Sequence, residues 1–309
     1  MDLGFDVGVL LRLSALLVVL LVGTGLRASA VLDARRTDLL NAVAYYAALP
    51  ALIFISTYDQ AIGELLSVTL VGGLLVVLFT TAGFAWLVHR LHGSSSDRQS
   101  VAIVQSYHSN LGYLGLPLVA ATFGTDVTAI ASVVLGIVTL VQVPLTIIIL
   151  STFNGTDVRL IDELRGLALN PVLLSLIAGL AIGSSGVIVP GPVTTGLDGV
   201  GSLALPLALL CVGASLQLDL PTVDFGATGS VVALKIIAMP IFAWLVFSIL
   251  TVDTATFVAS IVMLGTPTAV STYVFAAKLN GDEEFASLNV FATTLGSILT
   301  LFVLITLIT

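Results

Sequence analysis

Charge is scarce in this chain. Of 309 residues only 9% are Asp, Glu, Lys or Arg, against roughly 25% in a soluble globular protein. A chain with so few charges cannot cover itself with polar groups in water. Lipid is the solvent that tolerates it. Cysteine is nearly absent too. Cys211 alone permits no internal disulfide and no thiolate cluster for a metal, and its place in an apolar run suits small-residue packing. Positive charge is short as well. A formal net charge of -8 and a pI of about 4.6 exclude nucleic acid as a partner, because phosphate binding needs a basic face. No Asp or Glu lies in the middle of an apolar run. Neither a carboxylate proton relay nor a carboxylate cage for sodium is therefore visible. No run holds a nucleophile–base pair or a metal-ligand pair, so the reading is not an enzyme and requires no metal and no cofactor.

What the chain has in abundance is apolar length. Hydrophobic residues make up 58% of it, and a spanning helix needs roughly 20 mostly apolar residues. Ten such stretches are expected, at 7–26, 39–58, 65–89, 100–122, 128–151, 166–184, 194–217, 226–251, 256–278 and 285–308. The connections are short, and no polar segment has the length of a separate soluble domain. The fold class expected is an all-α integral membrane protein with ten transmembrane helices. Asp2 and Asp6 precede the first run, where a signal peptide would carry positive charge, so an uncleaved first helix is expected.

Lysine and arginine orient the spans. Alternate connections hold Arg27, Arg35 and Arg36, then Arg90 and Arg98, then Arg159 and Arg165, then Lys278. The intervening connections hold Asp59, Glu64, Asp126, Asp198 and Asp253 and no basic residue. This split predicts a multi-pass protein of the cell membrane with the first set in the cytoplasm and both termini outside. Asn154-Gly155-Thr156 matches a glycosylation acceptor, but on the predicted cytoplasmic side it reads as a chance match. The two remaining cations, Arg12 and Lys235, fall inside spans.

The chain also repeats itself. Ala48-Leu49-Pro50-Ala51-Leu52 in the second stretch is echoed by Ala204-Leu205-Pro206-Leu207 in the seventh, 156 residues later, and the fourth and ninth stretches begin with the same offset. Two halves of five helices follow: residues 1–151, a short cytoplasmic connection at 152–165, and residues 166–309. Five is odd, so the second half enters from the opposite side, and inverted repeats of this kind mark secondary transporters.

Two stretches carry breakers in corresponding places. Ser109-Asn110-Leu111-Gly112-Tyr113-Leu114-Gly115-Leu116-Pro117 lies in the fourth. Gly265-Thr266-Pro267-Thr268-Ala269-Val270-Ser271 lies in the ninth. Proline in a helix removes a hydrogen bond and clashes with the preceding turn. In lipid such breaks are tolerated only against protein or a wet cavity. At about 1.5 Å per residue, Asn110 lies roughly 15 Å deep, near the middle of a bilayer core of about 30 Å. Half-helices starting there would direct free N–H groups and partial positive charge into the centre, which suits a carboxylate. Asn110 could add an amide donor, and Thr266, Thr268 and Ser271 hydroxyl donors. His108 could titrate during transport or serve as an interhelical hydrogen-bond partner. Lys235 could attract an anion or stand in for a coupling cation, or else snorkel to the cytoplasmic face. Arg12, nearer a helix end, reads as snorkelling.

At these residues the chain resembles the auxin efflux carrier family, which holds the plant PIN carriers and many bacterial and archaeal permeases. The resemblance runs nearly end to end. It rests on Tyr45 to Phe54, Ser109 to Pro117 with Phe123-Gly124 after it, Asn170-Pro171, Gly201 to Ser215, Lys235 ahead of Pro240, and Thr266-Pro267 through Val274-Phe275-Ala276-Ala277-Lys278. It implies two inverted five-helix repeats. Helices one, two, six and seven would form a scaffold and a homodimer interface, and the other six a transport domain in which helices four and nine cross. It further implies an elevator movement and organic anions as substrates. Asn110 matches the family's crossover asparagine, and Pro117 and Pro267 its crossover prolines. The long regulated loop of some plant members is missing at 152–165. The expected function is a carrier for a small organic carboxylate, in the direction of efflux. Two alternatives stay open: a sodium-coupled organic anion symporter of the bile-acid type, and a non-transporting membrane sensor.

Overall fold

Proline sets the local shape of three of the helices. A proline lacks the N–H that would bond four residues back, and its ring clashes with that carbonyl. In the computed structural model the backbone widens to a π-turn ahead of Pro50, Pro117 and Pro240, at Ala44–Ala48, Leu111–Gly115 and Leu234–Ala238. In each case the proline stands at the same register, two residues past the turn. The wider turn carries the displaced carbonyl away from the ring and lets the helix run on.

The structure describes residues 7–91, 94–215 and 225–308, with side chains from Leu16 onward except that of Phe225. Asp2 and Asp6 and the side chain of Arg12 lie outside the described residues. The described elements are helical. Apart from a single turn at Ile62–Leu65 they are, in chain order, α1 (Val7–Ala28), α2 (Ala34–Thr57), α3 (Val68–Leu91), α4 (Ser96–Tyr107), α5 (Leu111–Thr122), α6 (Thr125–Asn154), α7 (Leu160–Ala168), α8 (Pro171–Ser185), α9 (Gly191–Ser215), α10 (Gly226–Ile249), α11 (Thr254–Leu264), α12 (Ser271–Lys278) and α13 (Glu283–Ile308). Six of them, α2, α3, α6, α9, α10 and α13, are each long and apolar enough to cross a membrane.

The pair α7 and α8 differs from expectation. Helix α7 takes up the end of the connection expected at 152–165 and the first residues of the stretch expected from 166. Asn170 caps α8 by accepting from the N–H groups of Val172 and Leu173, and Pro171 opens that helix. The chain bends there by 49° from α7, which lies across its end. The residue before a proline avoids the helical region, so α7 cannot run straight into α8.

Helix packing in lipid relies on close contact rather than on expulsion of water, so small residues mark the tightest approaches. Gly23 of α1 and Gly213 of α9 face each other's helix so closely that a methyl on either would overlap a main-chain carbonyl, that of Leu210 or of Leu20. Thr24 adds a hydrogen bond from its hydroxyl to the Gly213 carbonyl, 2.9 Å. The main apolar core reaches from this contact across the other helices, with Leu209 of α9, Leu74 of α3, Val104 of α4, Leu135 of α6 and Ile261 of α11 all buried in it.

Candidate functional site

Two helices stop in mid-protein and their loose ends pair. Helix α4 ends at Tyr107 and α5 begins at Leu111. Helix α11 ends at Leu264 and α12 begins at Ser271. The two gaps run past one another antiparallel, with Ser109 opposite Thr268. Asn110 donates its N–H to the Pro267 carbonyl at 2.9 Å, and Ala269 donates to the His108 carbonyl at 3.0 Å. Each break thereby satisfies main-chain groups that the other exposes, which is what allows irregular backbone at such depth.

Helix α6 supplies the rest. Gln142 holds Ser109 by both main-chain groups. Its Oε1 accepts from the Ser109 N–H at 3.1 Å and its Nε2 donates to the Ser109 carbonyl at 3.2 Å. One turn on, the Thr146 hydroxyl lies 2.8 Å from His108 Nδ1 and 3.0 Å from the Tyr107 hydroxyl. On the other side Gln105 ties three helices together. Its Nε2 donates to the Thr272 hydroxyl at 3.0 Å and to the Ala286 carbonyl at 2.9 Å, and its Oε1 accepts from Asn289 at 2.8 Å.

A cavity of about 560 Å³ lies against this crossing. His108, Ser109 and Asn110 line it from one broken helix, Ala269, Val270 and Ser271 from the other, and Thr139 and Gln142 from α6. Tyr45 and Tyr113, which also line it, sit on two of the proline-driven π-turns. The cavity is open, and its wall extends to Asn41, Glu163, Gly166, Asn170 and Ser215, Asn41 on the helix that carries Arg35 and Glu163 on the one that follows Arg159. Among the described residues its lining holds no lysine or arginine, and much of it is apolar, including Leu49, Leu135, Val143, Val212 and Phe275. At the rim, Lys278 of α12 and Glu163 of α7 approach to 3.9 Å.

Asn110 is the residue of this cavity whose chemistry is incomplete. It is 4% exposed, and among the described residues its side-chain Nδ2 has no hydrogen-bond partner. A buried donor left so costs about 1–3 kcal/mol, and a carboxamide offers a donor edge and an acceptor edge that a half-turn exchanges.

Of the residues singled out from the sequence, Asn110, His108 and Ser271 line the cavity, whereas Pro117, Thr266, Pro267, Thr268 and Lys235 are not part of its lining. Thr266 turns its hydroxyl back to the Met263 carbonyl, 2.8 Å, and packs under Gly115. Thr268 donates to the Gln105 carbonyl at 2.6 Å. Pro267 lends its carbonyl to Asn110, and Pro117 opens the helical turns after the π-turn of α5. Lys235 is fully buried and does not reach the surface. It donates to the Leu264 carbonyl at 2.9 Å. Gln142, Thr146 and Gln105 were not foreseen. A signal for the first two exists: Ser132, Thr139, Gln142 and Thr146 fall on one face of α6 at helical spacing, in an otherwise apolar run.

The long apolar helices define a multi-pass integral membrane protein, and the crossed breaks place a solvent-open cavity deep inside it. The chain matches the sequence profile described as "Membrane transport protein" over residues 9–160 and again over 156–305. It belongs to that family, the auxin efflux carrier family of transporters. Among its relatives is an "Uncharacterized transporter" of Methanothermobacter thermautotrophicus, 24% identical over 288 residues, covering 93% of this chain and 94% of that protein. Another is a "Putative malonate transporter" of Rhizobium meliloti (strain 1021), 25% identical over 275 residues, covering 84% of this chain and 83% of that protein.

Proposed function

We propose that this protein is a secondary carrier that moves a small organic carboxylate out of the cell. Asn110 carries the reading. It sits on the wall of the cavity, buried, with an amide donor that none of the described residues accepts. A carboxylate accepts such a donor well, and the starts of α5 and α12 beside it add the positive ends of two half-helices. Neutral donors and helix ends can hold an anion without a bound cation beside it, and the apolar remainder of the wall suits a carbon skeleton. The relative described as a malonate transporter points to the same class of solute.

In this reading the chain crosses the cell membrane ten times, as two inverted five-helix repeats with α4–α5 and α11–α12 as their broken members. The arginine-bearing end faces the cytoplasm, so the cavity is open to the inside. An inside-negative potential favours export of an anion by about 2.3 kcal/mol per charge for each 100 mV. The helices that carry the crossing would move as a body past the scaffold built on α1, α2, α8 and α9, which also pairs two copies as a homodimer. The test is direct. Purified protein is unfolded thermally against a panel of carboxylates beginning with malonate, and the stabilising members are then followed as labelled solutes in proteoliposomes. Stabilisation and potential-driven flux support the carrier. Stabilisation without flux replaces it with a sensor, and the absence of both refutes the reading.

A further inference from the structure

Asn110 does not face the cavity alone. The gap between α4 and α5 is extended at His108 and pairs like a strand at Ser109. Successive side chains of an extended chain point to opposite sides. The Ser109 hydroxyl accordingly turns to the Leu264 carbonyl at 3.5 Å and the Met239 sulfur at 3.8 Å, and neither of those residues lines the cavity. His108 and Asn110 are left together on the other side, and both line it.

Proton balance decides what His108 offers there. Three buried polar atoms form a chain. The Tyr107 hydroxyl lies 3.0 Å from the Thr146 hydroxyl, which lies 2.8 Å from His108 Nδ1. Tyr107 and Thr146 are fully buried, and among the described residues neither hydroxyl has another partner. Each hydroxyl has one proton to give. A proton on Nδ1 would be donated to Thr146, Thr146 would donate to Tyr107, and the Tyr107 proton would be stranded in the interior, where an unmade bond is costly. In the opposite direction Tyr107 donates to Thr146, Thr146 donates to Nδ1, and no donor is wasted. Nδ1 is then the acceptor of a neutral ring, and the ring proton sits on Nε2. The same balance excludes the doubly protonated ring. Nδ1 is held by α6, and Nε2 has no partner among the described residues. What the ring offers the cavity is therefore an N–H donor without charge.

We propose that His108 is a second solute-binding residue, presenting its Nε2–H beside the Asn110 amide, and that the pair selects a short dicarboxylate over a monocarboxylate. The inference rests on the carrier reading above and adds the class of carboxylate. Two residues of extended chain span roughly 7 Å, further than the two oxygens of one carboxylate lie apart. The bond from Thr146 keeps the imidazole from leaning toward Asn110. The two donors therefore meet separate acceptor groups, one at each end of a short solute. Thr146 and Tyr107 act as positioning residues, since they fix the ring and its proton without touching the solute.

The experiment is calorimetric titration of the purified protein with malonate and with monomethyl malonate, which keeps the skeleton and removes one carboxylate. Wild type is expected to bind malonate at least tenfold more tightly than the ester, the worth of one hydrogen bond to a charged group. His108→Leu is expected to lose at least tenfold in malonate affinity and to bind the two ligands within about threefold of each other. His108→Gln, whose amide reaches to about where Nε2 lies, is expected to keep the preference for malonate. A residue that only packs would move both affinities together. In histidine-selective nitrogen NMR of wild type, the one imidazole that shifts on adding malonate is expected to carry its proton on Nε2. Equal binding of both ligands by wild type, a His108→Leu protein that keeps the preference, or a malonate-responsive imidazole protonated on Nδ1 overturns the proposal and leaves the carrier reading standing. If neither variant folds, the wild-type titrations and spectrum decide. If wild type binds no carboxylate, the carrier reading fails and this inference with it.

Discussion

Replacing Asn110 with alanine separates binding from stability, because the two should move in opposite directions. In the resting protein the Asn110 Nδ2 is buried and has no partner among the described residues. Removing an unsatisfied buried donor relieves a penalty of about 1–3 kcal/mol. The Asn110 main chain, which bonds Pro267, is retained in the variant, so the crossing should survive. Asn110→Ala is therefore expected to be as stable as wild type or more so. A hydrogen bond to a charged acceptor contributes about 1.5–3 kcal/mol. At about 1.4 kcal/mol per tenfold, its loss weakens carboxylate binding by roughly 10- to 150-fold. The assay is thermal unfolding of purified wild type and variant, each titrated with malonate, followed by flux of labelled malonate in proteoliposomes. The expected pattern is an unfolding temperature in the absence of malonate at or above that of wild type, with the malonate-dependent rise lost. Unaltered binding and flux would remove Asn110 from the site. A variant that unfolds far below wild type would show that the side chain has a structural partner, and the argument from an unsatisfied donor would fail.

Four other substitutions test the scaffold. Gln142→Leu strands the N–H and carbonyl of Ser109, and should lower stability by about 1–3 kcal/mol. It should also raise the KM for malonate, measured by flux on the preparation used for unfolding. Gly213→Leu places side-chain atoms against the Leu20 carbonyl and should destabilise by about 1–3 kcal/mol through overpacking, whereas Gly25→Leu, where an added Cβ meets nothing, should be neutral in the same unfolding assay. Asp253 caps α11 through the Thr256 N–H at 2.9 Å and the Thr256 hydroxyl at 2.6 Å. Partial burial pushes its carboxyl up, but these hydrogen bonds outweigh it and hold the group below its ordinary value of 3.8. The folded state therefore binds this proton less readily than the unfolded state. The stabilisation is present above that ordinary value and is lost as pH falls through the lower folded one. Asp253→Ala should cost about 1 kcal/mol of cap at neutral pH, and the difference from wild type should vanish in unfolding measured at strongly acidic pH.

Much of the architecture was legible because lipid imposes its rules one segment at a time. Apolar length marks a helix wherever it occurs, and Ser109 to Pro117 and Gly265 to Ser271 announce their breaks through proline, glycine and small polar side chains. The bend between α7 and α8 was missed for a local reason. The apolar residues of Leu164 to Leu169 look like the start of a span, while Asn170-Pro171 stops one helix and caps the next.

The sequence by itself determined that this chain lives in a membrane, where its helices break, and that the breaks carry donors in place of carboxylates, since each of these follows from residue type and spacing along one segment. Only the tertiary structure decided which face of each break meets the cavity. Thr266 and Ser271 look alike in sequence, yet Thr266 bonds its own helix and Ser271 faces the open space. Only it brought Gln142 from α6 onto Ser109 and put Lys235 of α10 on the end of α11. The physical reason is that a broken helix frees main-chain groups whose partners must come from elsewhere in the chain, and packing alone chooses them.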